Sequence, residues 1–79
     1  MKCIAIDDEP RALEIIETFV NKIEFLDLEA TFRNPLEAIE FLTKNKIDLI
    51  FLDINMPDIN GTAFVKTLEN KPMVIFTTA

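Results

Sequence analysis

Two acidic residues, Asp7 and Asp8, close the apolar run Lys2-Cys3-Ile4-Ala5-Ile6, and a third, Asp53, closes the run Leu49-Ile50-Phe51-Leu52. Carboxylates in such places can favour the positive end of a following helix, hold a hard cation, or attack as nucleophiles. Each has a plain structural reading. Asp7, Asp8 and Glu9 precede a helix pattern and can simply start it. Asp53, followed by Asn55, Pro57 and Asp58, can be a polar strand end. Gly61 can merely permit a tight turn, and Thr77 and Thr78 can merely finish a strand. The combination resists these readings only if the fold brings the strand ends together, so the elements must be placed first.

Lys2–Asp7 reads as a buried strand. Pro10 suits the first turn of a helix. Ala12, Ile15, Ile16, Phe19, Val20 and Ile23 then follow at helical spacing, predicting one amphipathic helix over about 10–22. From 26 to 33 the pattern alternates: Leu26, Leu28, Ala30 and Phe32 on one side, Asp27, Glu29, Thr31 and Arg33 on the other. Period two with one polar face predicts a half-exposed strand. Asn34 can cap the next helix, with Pro35 in its first position and Glu37 placed for a reciprocal cap. That helix should run to about Asn45, burying Ala38, Ile39 and Leu42. Asp48–Asp53 is an apolar strand, 54–60 a loop, Gly61 to about Glu69 a short helix with Phe64, Val65 and Leu68 inward, and Met73–Thr77 a fourth strand.

Alternating strands and helices imply a parallel sheet with helices on its faces. Strands covered on both faces read as unbroken apolar runs, whereas an edge strand alternates. The second strand is therefore an edge, and the first and third are neighbours. Right-handed crossovers then give the order 2-1-3-4, with the first two helices on opposite faces. The chain reverses direction between strands 1 and 3, and ligand crevices in such sheets open there, beyond the carboxyl ends. Asp7, Asp8 and Asp53 would converge at that point. Like charges held close are costly unless a cation neutralises them or one takes a proton. Mg2+ suits such a set of hard oxygens, and beside it an aspartate can accept a phosphoryl group as an acyl phosphate. The fourth strand is apolar yet lies last, leaving an uncovered edge that invites pairing; a further segment or another chain should cover it.

Composition narrows the classes. The 79 residues make at most one domain, and a hydrophobic fraction of 49% argues against disorder. A formal net charge of -6 argues against nucleic-acid binding by this segment. Cys3 is the only cysteine, so no internal disulfide can form, and in its apolar run it should act as a small hydrophobe. Charge comes too early for a signal peptide, and no apolar stretch nears the about 20 residues of a membrane span. A cytoplasmic protein is expected.

The runs IAIDDEP at 4–10, LIFLDINMPDING at 49–61 and IFTTA at 75–79 resemble the receiver domain of bacterial two-component response regulators. The resemblance covers the whole chain, and the strand–D–x–x–M–P–x–x–x–G pattern is its most specific part. It implies a flavodoxin-like (CheY-like) fold. It also implies that Asp53 is the phosphoacceptor, that Asp8 binds Mg2+ directly and Asp7 through water, and that Asn55 gives the ion its backbone carbonyl. Met56 and Pro57 would shape the loop, and Thr78 would be the switch hydroxyl. A sensor histidine kinase would be the donor. The wording is closest to receivers joined to LytTR-type DNA-binding domains, so DNA would be met through an effector domain outside these residues. A receiver continues through a fourth helix, a fifth strand with its lysine, and a fifth helix. Residues 1–79 thus correspond to its N-terminal part, lacking the fifth strand and last two helices.

Three rivals are weaker or narrower. Aspartate-nucleophile phosphatases resemble a D-x-D pattern after the first strand, whereas here the pair is contiguous and the lone acid closes strand 3. A flavin site would want hydroxyls and amides after strand 1, where Asp7-Asp8-Glu9 would repel phosphate. Self-association through the fourth strand, giving a signalling-incompetent homo-oligomer, is the remaining alternative. On the receiver reading this is not an enzyme on an external substrate; a receiver promotes only its own phosphorylation and dephosphorylation.

Overall fold

A computed structural model describes residues 1–54, 64, 66, 68 and 72–77. Among them β1 spans Lys2–Ile6, α1 Pro10–Asn21, β2 Asp27–Phe32, α2 Pro35–Lys44, β3 Leu49–Asp53 and β4 Met73–Thr77. The strands are all parallel, in the order β2-β1-β3-β4. The order follows from where apolar surface can be hidden: β3 is buried along its whole length and β1 beyond Lys2, while β2 alternates exposed and half-buried.

Successive residues of β1 and β3 feed opposite faces. Ile4, Ile6, Ile50 and Leu52 pack with Ala38 and Ile47 on the α2 side, joined by Phe64 and Leu68. Cys3, Ala5, Leu49 and Phe51 pack with Leu13 and Val20 on the α1 side. The two helices thus cover opposite faces. Burying one such aliphatic or aromatic side chain contributes about 1.5–3 kcal/mol, so these rows fix where the strand ends fall. Phe32 and Phe41, with ring centroids 5.3 Å apart, join α2 to β2. The expected cap of α2 is present: Asn34 Oδ1 accepts from Leu36 N at 2.8 Å, ahead of Pro35 in the first turn. Cys3 is fully buried, and its thiol donates to the Asp27 carbonyl at 3.5 Å.

Two details differ from the sequence pattern. The sheet-facing stripe of α1 is Leu13, Ile16 and Val20, whereas Ile15 and Phe19 are 69% and 62% exposed. Apolar residues occupy two stripes on this helix, and the spacing alone merged them while passing over Leu13. In β2, the register shifts between Cys3 and Ile4, which pair with Leu28 and Ala30. A one-residue shift exchanges faces. Leu26 and Leu28 therefore pack on the α1 side, and Ala30 and Phe32 on the α2 side, although strict alternation puts all four together.

β4 pairs only with β3 among the described strands, and its Met73, Ile75 and Phe76 are 61%, 45% and 41% exposed. No helix among the described residues is long and apolar enough to cross a membrane. Of the expected third helix, Phe64 and Leu68 are buried as anticipated and Lys66 is exposed; its other residues, Val65 among them, lie outside the described residues.

Candidate functional site

The carboxyl ends of β1 and β3 are held side by side by the ladder Cys3–Leu49 to Ile6–Leu52. Asp7 N donates to the Phe32 carbonyl at 3.0 Å, which carries the β1–β2 pairing one residue past the strand. Asp7, Asp8 and Asp53 can therefore each offer a carboxylate oxygen within 4.8 Å of the others. Asp7 and Asp53 are buried and Asp8 is exposed, so the cluster has a closed floor and one open side.

The electrostatics are those of carboxylates crowded together and partly buried. Burial is the main cause pushing the Asp7 carboxyl above its ordinary range. The Glu9 amide, which donates to Asp7 Oδ1 at 2.9 Å, works against that shift. The charges of Asp53 and Asp8, and a hydrogen bond with the Asp53 carboxyl, add to it. Two neighbouring acids that share a proton are the ordinary response to crowded like charge. A divalent cation is the other, and three hard oxygens at this spacing, two of them buried, fit Mg2+ chemistry. The Asp7–Glu9 bond also gives the plain reading its due: Asp7 shapes the turn into α1 while facing the cluster.

Two residues at this rim were not picked out by the sequence pattern. Arg33, placed there only on the polar side of β2, directs Nε and Nη2 at the Asp8 carbonyl, both at 3.4 Å. Thr77, read as a strand end, pairs in register with Asp53, and its carbonyl accepts from Ile54 N at 3.4 Å. The order 2-1-3-4 could have flagged both, because each ends a strand flanking the acidic pair. Asn55, Met56, Pro57, Gly61 and Thr78 lie outside the described residues.

Residues 3–79 match the family model described as the response regulator receiver domain. The chain is 33% identical to protein MrkE of Klebsiella pneumoniae over 82 residues, covering 100% of this chain and 30% of that protein. It is 32% identical to the transcriptional regulatory protein YpdB of Escherichia coli K12, covering 34% of it. The chain thus spans about a third of the length of the curated relatives it matches. Among solved structures, the response regulatory domain of MrkE superposes with a TM-score of 0.86 at 33% identity, covering 100% of this chain and 67% of that one. The isolated REC domain of RcsB from Salmonella enterica serovar Typhimurium gives a TM-score of 0.88 at 24% identity, over 99% of this chain and 61% of that one, a likeness of fold. By sequence and by strand order alike, the chain belongs to the response regulator receiver domain family.

Proposed function

We propose that this chain is the phosphoryl-accepting part of a two-component response regulator and that Asp53 takes the phosphoryl group. The observation that carries the reading is the convergence of Asp7, Asp8 and Asp53 within 4.8 Å at the carboxyl ends of adjacent parallel strands. A phosphohistidine on a sensor histidine kinase is the donor. A carboxylate oxygen of Asp53 attacks phosphorus, the N–P bond breaks, and its electron pair returns to the imidazole. Water later attacks the phosphorus, the O–P bond breaks, and inorganic phosphate leaves the carboxylate restored. Asp8 and Asp53, with the Asn55 carbonyl and Asp7 through water, are the groups that would hold Mg2+. Bound there, Mg2+ neutralises charge that builds on the transferring oxygens. Burial of Asp53 limits the access of water to the acyl phosphate. Thr78 then turns toward the phosphoryl oxygens and changes the surface presented to an output domain of the LytTR DNA-binding type. The description of YpdB as a transcriptional regulatory protein supports that output. The protein works in the cytoplasm.

The test is incubation with Mg2+ and acetyl phosphate followed by intact mass measurement. A chain carried through a complete receiver domain should gain one phosphoryl group, residues 1–79 alone much less, and the Asp53→Asn variant none. Equal labelling of that variant would remove Asp53 from the role. The exposed apolar side chains of β4 favour a second reading, in which two copies pair through that strand. Sedimentation of the same samples separates the two: a monodisperse monomer at working concentration rules out the self-association.

A further inference from the structure

Thr77 stands beside Asp53 in the β3–β4 register. Register partners in a parallel pair direct their side chains to the same face, so Thr77 shares the face of Asp53 and Phe51. The residue as a whole is only half-buried. Its hydroxyl oxygen, however, is shielded from solvent and has no hydrogen-bond partner among the described residues. A shielded hydroxyl without a partner is uncommon, because it forfeits its hydrogen bonds to water with nothing in return. The backbone leaves it little freedom to escape, since the Thr77 carbonyl accepts from Ile54 N directly after the acidic residue. A donor is thus held, unused, one strand away from the buried carboxylate.

We propose that the Thr77 hydroxyl is a phosphoryl-binding group of this site, distinct from the switch hydroxyl expected at Thr78. It donates to an oxygen of a tetrahedral oxyanion carried on Asp53. The inference rests on the reading of Asp53 as phosphoacceptor. A hydrogen bond to an ionised oxygen is stronger than one between neutral groups, so the hydroxyl gains most when the oxyanion arrives. It discriminates the phosphorylated state from the free carboxylate and does not serve to hold the cation.

The probe is beryllofluoride with Mg2+, titrated calorimetrically into the full chain, with Mg2+ alone titrated separately. Thr77→Val keeps the branched shape and removes the hydroxyl; Thr77→Ser keeps the hydroxyl. The Val variant should bind beryllofluoride about tenfold more weakly than wild type, with unchanged Mg2+ affinity and a Tm equal to or above that of wild type. The Ser variant should recover most of the loss. A Val variant that binds beryllofluoride as wild type does overturns the proposal. So does one that loses Tm together with affinity for both probes, since that would make the hydroxyl a structural hydrogen bond. Asp53→Asn separates the two levels: if it binds beryllofluoride as wild type does, the reading of Asp53 fails and the Thr77 assignment fails with it. If only Asp53→Asn loses the probe, the Thr77 assignment fails alone.

Discussion

The two ends of the sheet carry acids under opposite conditions. At the amino ends, Asp48 Oδ2 accepts from the Lys2 amide at 3.0 Å, Glu29 pairs with Lys2 Nζ at 3.8 Å, and the terminal ammonium donates to the Phe25 carbonyl at 2.7 Å. Backbone bonds from Asp48 N to the Lys2 carbonyl and from Met73 N to the Asp48 carbonyl tie the same corner. At the carboxyl ends, Asp7, Asp8 and Asp53 face one another, and the nearby Arg33 reaches a carbonyl at 3.4 Å. The first arrangement is complete as folded. The second becomes electrostatically complete only when something positive enters. Asp48 has donors for neighbours, whereas Asp7 has one donor, the Glu9 amide, and two further acids.

A cut in the rows that join the ends should have the largest effect and should not distinguish them. Ile50 is fully buried in the middle of β3. Ile50→Ala should cost about 2–5 kcal/mol in urea unfolding, by the same amount with and without Mg2+. A loss that shrank when Mg2+ was added would mean that the core and the acidic end are not separate. Changes at the ends themselves should be smaller and opposite in sign. Asp48→Ala should destabilise by about 1 kcal/mol through the lost bond to Lys2 N, again regardless of metal. Asp7→Asn should raise the metal-free Tm, because it removes a buried charge facing two others. Mg2+ at ten times its Kd should stabilise wild type by about 1.4 kcal/mol and leave Asp8→Asn unmoved. If Asp7→Asn instead lowered the metal-free Tm more than Asp48→Ala did, the charge assistance that the carboxylate gives the bond from Glu9 N would outweigh the repulsion. Asp7 would then be a turn residue first.

The same contrast explains what could be read in advance. Strand order was legible because Leu49–Leu52 of β3 and Cys3–Ile6 of β1 are apolar on both faces while β2 alternates, and the acidic cluster followed from that order. The Asn34 cap was legible because its signal is local. The face change within β2 was not, since the shift at Cys3 and Ile4 is a property of two strands in register and leaves no mark on an alternating pattern. The stripe of α1 was misdrawn because Ile15 and Phe19 have the hydropathy of core residues without a surface above them. Thr77 and Arg33 were missed for a related reason. Each has an unremarkable identity, and only its place across from Asp53 or Asp8 gives it meaning.

The smallest expected effect returns to β1, near whose two ends lie Cys3 and Asp7, both with raised pKa values. Burial is the leading cause at Cys3 as at Asp7. The opposing influence at Cys3 is the nearby terminal ammonium, while Asp27 and Glu29 add to the rise. A thiol held above its ordinary value of 9.0 stays neutral in the folded chain at pH values where the unfolded chain ionises. Its contribution is therefore complete below pH 9.0 and is lost as pH rises through the folded-state value. Cys3→Ala should be less stable near neutrality, because a buried group is removed, yet its stability should fall less steeply than that of wild type above that pH. Alkylation by iodoacetamide at pH 8 should be slow in the native chain and should accelerate in proportion to the unfolded fraction as urea is added. Fast native labelling would show that the amino end of β1 opens on its own. The completeness claimed for that end would then be wrong, and the difference between the two ends would be one of degree.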